Sequence, residues 1–216
     1  MEDCMLRNRG NELHKVNLER GDHNKNPYPK GFEKVTVPAG KSGEWEVTKL
    51  DLTDKDLGLF NLRLIRDGFW HRVVPPGSYT RLTCGHTVVM TDTPAEAHEH
   101  RRLIDMAEGR VLLNGLGLGF ALHNILRKKE VEHVTVIEKS PDVLKLVARY
   151  FRGPRVEIIH ADALEWRPKK GQGFNVVWHD IWNDISEDNK EQMTKLKRAY
   201  ARRCGWQACW SAEYMP

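Results

Sequence analysis

Three carboxylates and a run of glycines are the residues of this chain whose spacing can do chemistry. Glu138, Asp162 and Asp180 each close a run of strand character: Val134-Thr135-Val136-Ile137, Val156-Glu157-Ile158-Ile159-His160-Ala161 and Phe174-Asn175-Val176-Val177-Trp178-His179 respectively. Upstream, Arg110-Val111-Leu112-Leu113-Asn114 stops at Gly115-Leu116-Gly117-Leu118-Gly119, and an apolar, helix-compatible segment, Ala121 to Leu126, follows. A strand feeding a helix through Gly-x-Gly-x-Gly lets a ligand approach backbone where a Cβ would collide, and aims free N–H groups at it. Glu138 stands nineteen positions beyond Gly119, the interval at which the second strand of a βαβ unit offers an acid to a ribose. Four strands thus deliver polar residues to one edge. A carboxylate such as Asp180, at the carboxyl end of a central strand, can orient or deprotonate a nucleophile there.

On these residues the chain from about Val88 to Ser211 resembles class I S-adenosylmethionine (SAM) dependent methyltransferases, in the layout of the spermidine synthase branch. The resemblance implies a Rossmann-like, doubly wound, mostly parallel α/β sheet with SAM as cofactor and S-adenosylhomocysteine as product. It also implies a role for each residue. Gly115, Gly117 and Gly119 would pass under the methionine part, Glu138 with Lys139 beside it would hold the ribose, Asp162 with Ala163 would meet the adenine amino group, and Asp180 would face the reacting centre. Nicotinamide dehydrogenases share the turn and the first acid. They usually space their glycines as Gly-x-Gly-x-x-Gly, however, and Ala161-Asp162-Ala163 after the third strand is more typical of SAM binders.

The departures from the family pattern are specific. Leu113 stands where many methyltransferases carry an acid for the methionine ammonium, and Leu118 where spermidine synthases usually carry Asp. The Tyr-His-Glu-like segment of those synthases aligns with Ala97-His98-Glu99, so the tyrosine is lost while His98 keeps a substrate-cleft position and a candidate catalytic role. Their aspartate pair becomes Asp180-Ile181-Trp182-Asn183, with one acid kept. The leading expectation is methyl transfer to an unidentified acceptor, a small molecule or other nucleophile, with Asp180 as base. The alternatives are a spermidine synthase-like aminopropyltransferase and a non-catalytic SAM-binding or assembly module.

Composition bounds the rest. With 216 residues and 40% hydrophobic content the chain can bury one good core. A net charge of +4 against 30% charged residues argues against a dedicated nucleic-acid binder, and no apolar run approaches the length of a membrane span. Four scattered cysteines, Cys4, Cys84, Cys204 and Cys209, suit reduced thiols, and the expected location is cytoplasmic.

Three regions are expected: a flexible polar arm over residues 1–31, a small β-rich lobe over 32–91, and the SAM-binding domain over 92–216. In the lobe, runs such as Lys34-Val35-Thr36-Val37, Glu44-Trp45-Glu46-Val47 and Thr87-Val88-Val89-Met90 read as strands. Asp67-Gly68-Phe69-Trp70-His71 and Gly77-Ser78-Tyr79-Thr80-Arg81 read as hairpin turns or as a substrate lid. A helix capped by Asp92 or Thr93, with Pro94 in its first turn, should run to about Ala107. On it His98 and His100 point about 200° apart, so they cannot share a metal ion, and His100 pairs with Glu96 at i,i+4 as a surface contact. A helix over residues 185–203 and a fifth strand from Trp206 to Ser211 complete the reading. That ending is abbreviated for a class I fold, and the edge it leaves should be covered by the lobe or by a second subunit of a homo-oligomer.

Overall fold

The computed structural model describes residues 28–69, 72–184 and 186–212. Two sheets organise them. The first is antiparallel, in the order β1 (Gly40–Ser42), β2 (Trp45–Leu52), β3 (Gly77–Cys84) and β4 (Thr87–Thr91). The second contains β5 (Gly109–Asn114), β6 (Val131–Glu138), β7 (Val156–His160), β8 (Phe174–His179) and β9 (Cys204–Cys209). Its strands are all parallel, in the order β7-β6-β5-β8-β9. The Rossmann-like α/β expectation therefore holds, with the small antiparallel sheet ahead of it.

Burial on both faces explains the near-continuous apolar runs of the parallel strands. Along β5, Val111 and Leu113 face one core, with Leu122 and Ile125 of α4 (Phe120–Leu126) and Val143 of α5 (Pro141–Leu146). Leu112 faces a second core with Met193, Leu196 and Tyr200 of α6 (Asn189–Tyr200). From β5 the chain winds first to β6 and β7, then returns to β8 and β9. The carboxyl ends of β5 and β8 therefore flank the switch point at which such sheets open a crevice.

Several local expectations change. The lobe contains a 13-residue helix, α1 (Asp54–Arg66), between β2 and β3. A capping box starts it: Thr53 accepts the Asp56 N–H, and the Asp56 carboxylate accepts the Thr53 N–H. Its outer face leaves Leu59, Phe60 and Leu62 exposed. Asp67 and Gly68 form the exit turn of this helix rather than a hairpin, while Trp70 and His71 lie outside the described residues. Lys34 to Val37 is extended but unpaired, with Val35 and Val37 buried. Of the stretch read as a flexible arm, residues 1–27 lie outside the description. Tyr28 is buried, however, and bonds the Asp92 carbonyl.

The helix expected from Pro94 to Ala107 is divided into α2 (Pro94–Glu99), capped by Thr93, and α3 (Arg101–Met106). At His100 the backbone opens to φ −87°, ψ −3°, although Ile104 N–H still donates to the His100 carbonyl. At the other end, α6 spans Asn189–Tyr200, and Ile185 is outside the described residues. No strand of the antiparallel sheet pairs with the outer edge of β9. On one face of the sheet the Arg102 guanidinium lies over Trp206, and just past the end of β9 the Trp210 indole N–H donates to Glu99 at 2.8 Å.

Candidate functional site

A cavity of about 350 Å³ opens at the carboxyl ends of β5, β6 and β8, within the size range of small-molecule sites. Gly115, Gly117, Glu138, Lys139, Asp162, Ala163 and Asp180 all line it, so the structure brings together most of the residues singled out in the sequence. Gly119 does not line it, because it sits against Phe151 at the start of α4. His98, half-buried on α2, does not line it either.

Glu138 ends β6 almost fully buried, and both of its oxygens accept backbone donors: Oε2 from Leu116 at 2.9 Å and Oε1 from Ser140 at 2.7 Å. A carboxylate has about four acceptor positions, so each oxygen keeps one for a ligand hydroxyl. Asp162 stands two residues beyond β7. Its Oδ2 accepts from Lys139 Nζ at 2.7 Å and its Oδ1 from the Leu164 N–H at 2.9 Å. The Lys139 bond holds the Asp162 carboxyl below the usual carboxylate range, and the same bond raises the pKa of Lys139. Lys139 is largely exposed, so the pair closes the mouth only weakly.

The glycine turn is occupied by its own protein. Gly115, at φ +105°, lets the Asp180 carbonyl press against it, and a Cβ there would collide with that oxygen. Gly117, at φ +52°, admits Met90, whose sulfur would lie 2.6 Å from an added Cβ. Met90 Sδ also accepts the Leu118 N–H at 3.3 Å. Of the five N–H groups from Gly115 to Gly119, four are donated within the protein: Gly115 to Ile137 O, Leu116 to Glu138, Leu118 to Met90 and Gly119 to Leu116 O. A pyrophosphate cradle needs those donors free. The dinucleotide alternative therefore does not suit this turn.

Met90 arrives from the antiparallel sheet, and a bulge explains how. Leu82 pairs with Met90 and Thr83 with Val88, which leaves Val89 as the extra residue. In a regular strand neighbours point to opposite faces, but at a bulge they need not. Val89 and Met90 both line the cavity, with Trp45 of β2 beside them. Tyr79 and Arg81 of the suggested lid do not reach it: the Tyr79 hydroxyl donates to the Pro75 carbonyl, and Arg81 Nε donates to Thr48.

His179 and Asp180 point to opposite faces, as strand geometry requires. His179 is buried on the α6 side, where Nδ1 accepts from Asn114 at 2.7 Å and Nε2 lies 3.2 Å from Gln207 Oε1; burial pushes its pKa down to about 4. Asp180 turns to the cavity, and its Oδ2 lies 3.1 Å from Nε2 of His100.

His100 does pair with Glu96 at i,i+4, but with its ring in the interior rather than on the surface. It is fully buried, and the break between α2 and α3 directs its ring to Asp180. Burial alone would lower its pKa, but the hydrogen bond and charge of Asp180, aided by Glu96, outweigh that and raise it. Burial also raises the pKa of Glu96, whose carboxylate lies 3.8 Å from His100 Nδ1. No local signal marks His100 or Met90 in the sequence, because each acts through a partner on another element.

The side of the cavity beside Asp180 is aromatic. Trp178 and Trp182 line it, and the Trp182 indole is held by Gln192 Oε1 at 2.9 Å. Lys139 is the single cation in the lining among the described residues. No helix among them is long and apolar enough to cross a membrane, and no group of three or more His, Cys, Asp or Glu is placed to hold a metal.

No family model matches the chain. Among curated proteins it is similar to polyamine aminopropyltransferase 2 of Ralstonia nicotianae, 35% identical over 82 residues, which cover 33% of this chain and 16% of that protein. It is also similar to the polyamine aminopropyltransferase of a Synechococcus strain, 26% identical over 145 residues, or 61% of this chain and 41% of that protein. The chain thus spans less than half the length of these relatives. Among solved structures it is similar to spermidine synthase from Thermotoga maritima, with 18% identity and a TM-score of 0.43 over 76% of this chain and 52% of that one. The N-methyltransferase NodS of Bradyrhizobium japonicum gives 14% identity and a TM-score of 0.38 over 48% and 61%. Neither structural likeness assigns an activity.

Proposed function

We propose that the chain is a transferase using an adenosyl-sulfonium donor, with methyl transfer from SAM to a nucleophilic acceptor as the leading reaction. One observation carries the reading: Glu138, Asp162 and Asp180, from the ends of three parallel strands, open into a single cavity large enough for a small molecule. Glu138 retains acceptor positions for ribose hydroxyls. Asp162, when Lys139 yields, offers an acceptor to an adenine amine. Bound SAM supplies an electrophilic methyl carbon on sulfur, which leaves as the thioether of S-adenosylhomocysteine. The chain's task is alignment and one proton: the aromatic wall of Trp178 and Trp182 seats the acceptor, and Asp180 accepts its proton as its electron pair forms the bond to carbon.

Aminopropyl transfer is the second reading, and the lining favours it in one respect. The only cation there among the described residues, Lys139, is engaged by Asp162, so a donor without a carboxylate leaves nothing unpaired. The similarity to aminopropyltransferases points the same way, whereas Leu118 and the lone Asp180 offer little to a diamine.

Calorimetric titration with SAM, S-adenosylhomocysteine and decarboxylated SAM, repeated on Glu138→Ala, tests both. SAM and S-adenosylhomocysteine should bind, and the mutant should lose them. A preference for the decarboxylated form transfers the case to the second reading, and no binding by any of the three overturns both.

A further inference from the structure

His100 is wholly buried, touches the base, and has no task in the reaction as described so far. Its ring lies edge-on to Phe120, centroids 6.0 Å apart, and 6.1 Å from Trp178. Both nitrogens face oxygens: Nδ1 the Glu96 carbonyl at 3.0 Å, Nε2 Asp180 Oδ2 at 3.1 Å. A carbonyl oxygen only accepts, so Nδ1 carries a hydrogen. The contact from Nε2 to Oδ2 needs one further proton, whichever partner owns it. The charged side chains acting on the ring are Asp180 from the end of β8 and Glu96 from α2; Glu96 in turn lies in the field of Glu99, which is engaged by Arg72 and Trp210. Asp180 Oδ1 has no donor among the described residues.

We infer that His100 is the positioning residue for Asp180: by holding Oδ2 it presents Oδ1 alone to the acceptor and sets the pair at one proton before the acceptor's proton arrives. The role rests on Asp180 being the acceptor-facing base, but the contact does not. The raised pKa of His100 agrees with the geometry.

NMR titration of the imidazoles in the ligand-free full chain reads the contact directly, with the His100 signal assigned by its absence in His100→Gln. His100 should stay protonated at least about one pH unit above an ordinary histidine, and should fall back in Asp180→Asn. An ordinary titration, unchanged by Asp180→Asn, overturns the inference whether or not SAM binds.

Calorimetry with SAM then reads the role. In His100→Gln, which keeps a donor to Oδ2, affinity should stay within about threefold. In His100→Leu affinity should fall about tenfold, as expected for a freed carboxylate with no donor. Equal losses in both variants assign His100 to packing and overturn the role. Absence of SAM binding in the unmutated protein, with the NMR shift present, overturns the proposed function while upholding the His100–Asp180 contact.

Discussion

The two ends of the cavity hold their carboxylates in opposite ways. At the ends of β6 and β7, Glu138 and Asp162 rest on backbone N–H groups of nearby loops and on an exposed lysine. At the end of β8, Asp180 rests on a buried histidine from a distant helix break, in a cavity that side chains from the other sheet also line. The first arrangement follows from local chain geometry and leaves acceptors free for a neutral, hydroxyl-rich ligand. The second depends on tertiary assembly and places a proton between carboxylate and imidazole.

The largest effect expected from this contrast is at Glu138. Glu138→Ala leaves the Leu116 and Ser140 N–H groups without their acceptor and should cost about 2–4 kcal/mol in urea denaturation. It should also weaken SAM binding by at least ~100-fold. Asp180→Asn, which keeps shape, should weaken SAM binding by no more than about tenfold while abolishing turnover. Equal binding losses at the two positions would erase the distinction between the ends.

Gly117→Ala should cost roughly 1–2 kcal/mol for its left-handed backbone, with a further loss from Met90. Adding Met90→Ala should restore the second part only. A cycle without coupling would detach the antiparallel sheet from the turn.

The pH dependence should separate the ends by sign. Asp162, with its folded pKa lowered, contributes stability present above about pH 4, the unfolded value, and lost as the pH falls through the folded one. His100, raised, contributes stability complete below about pH 6.5 and lost as the pH climbs through its folded value. Glu96, also raised, works in the same alkaline direction. Urea midpoints across pH should therefore fall on both sides, with Asp162→Asn flattening only the acid side and Asp180→Asn only the alkaline. The smallest effect belongs to Lys139→Ala, which should let the Asp162 pKa rise and remove only the small stability that this exposed pair supplies above about pH 4.

Legibility in the sequence follows the same division. The glycine turn, Glu138, Asp162 and Asp180 could be read because each closes a strand in its own segment. The parallel sheet was implied by the family resemblance that those residues carry. Helix α1 was missed because Leu57, Leu59, Leu62 and Leu64 mix two periods, and only the Thr53–Asp56 cap decides between them. His100 was misplaced by assuming an unbroken helix from Pro94 to Ala107. Met90 carries no motif, and its role exists only where two sheets meet.

The bulge at Val89 has an evolutionary corollary. An antiparallel ladder of unbroken register needs one residue fewer, and losing Val89 would leave Met90 still opposite Leu82 while removing its neighbour from the cavity wall. Deletion of a single codon would thus reset the room in the cavity, far in the chain's primary order from Glu138, Asp162 and Asp180.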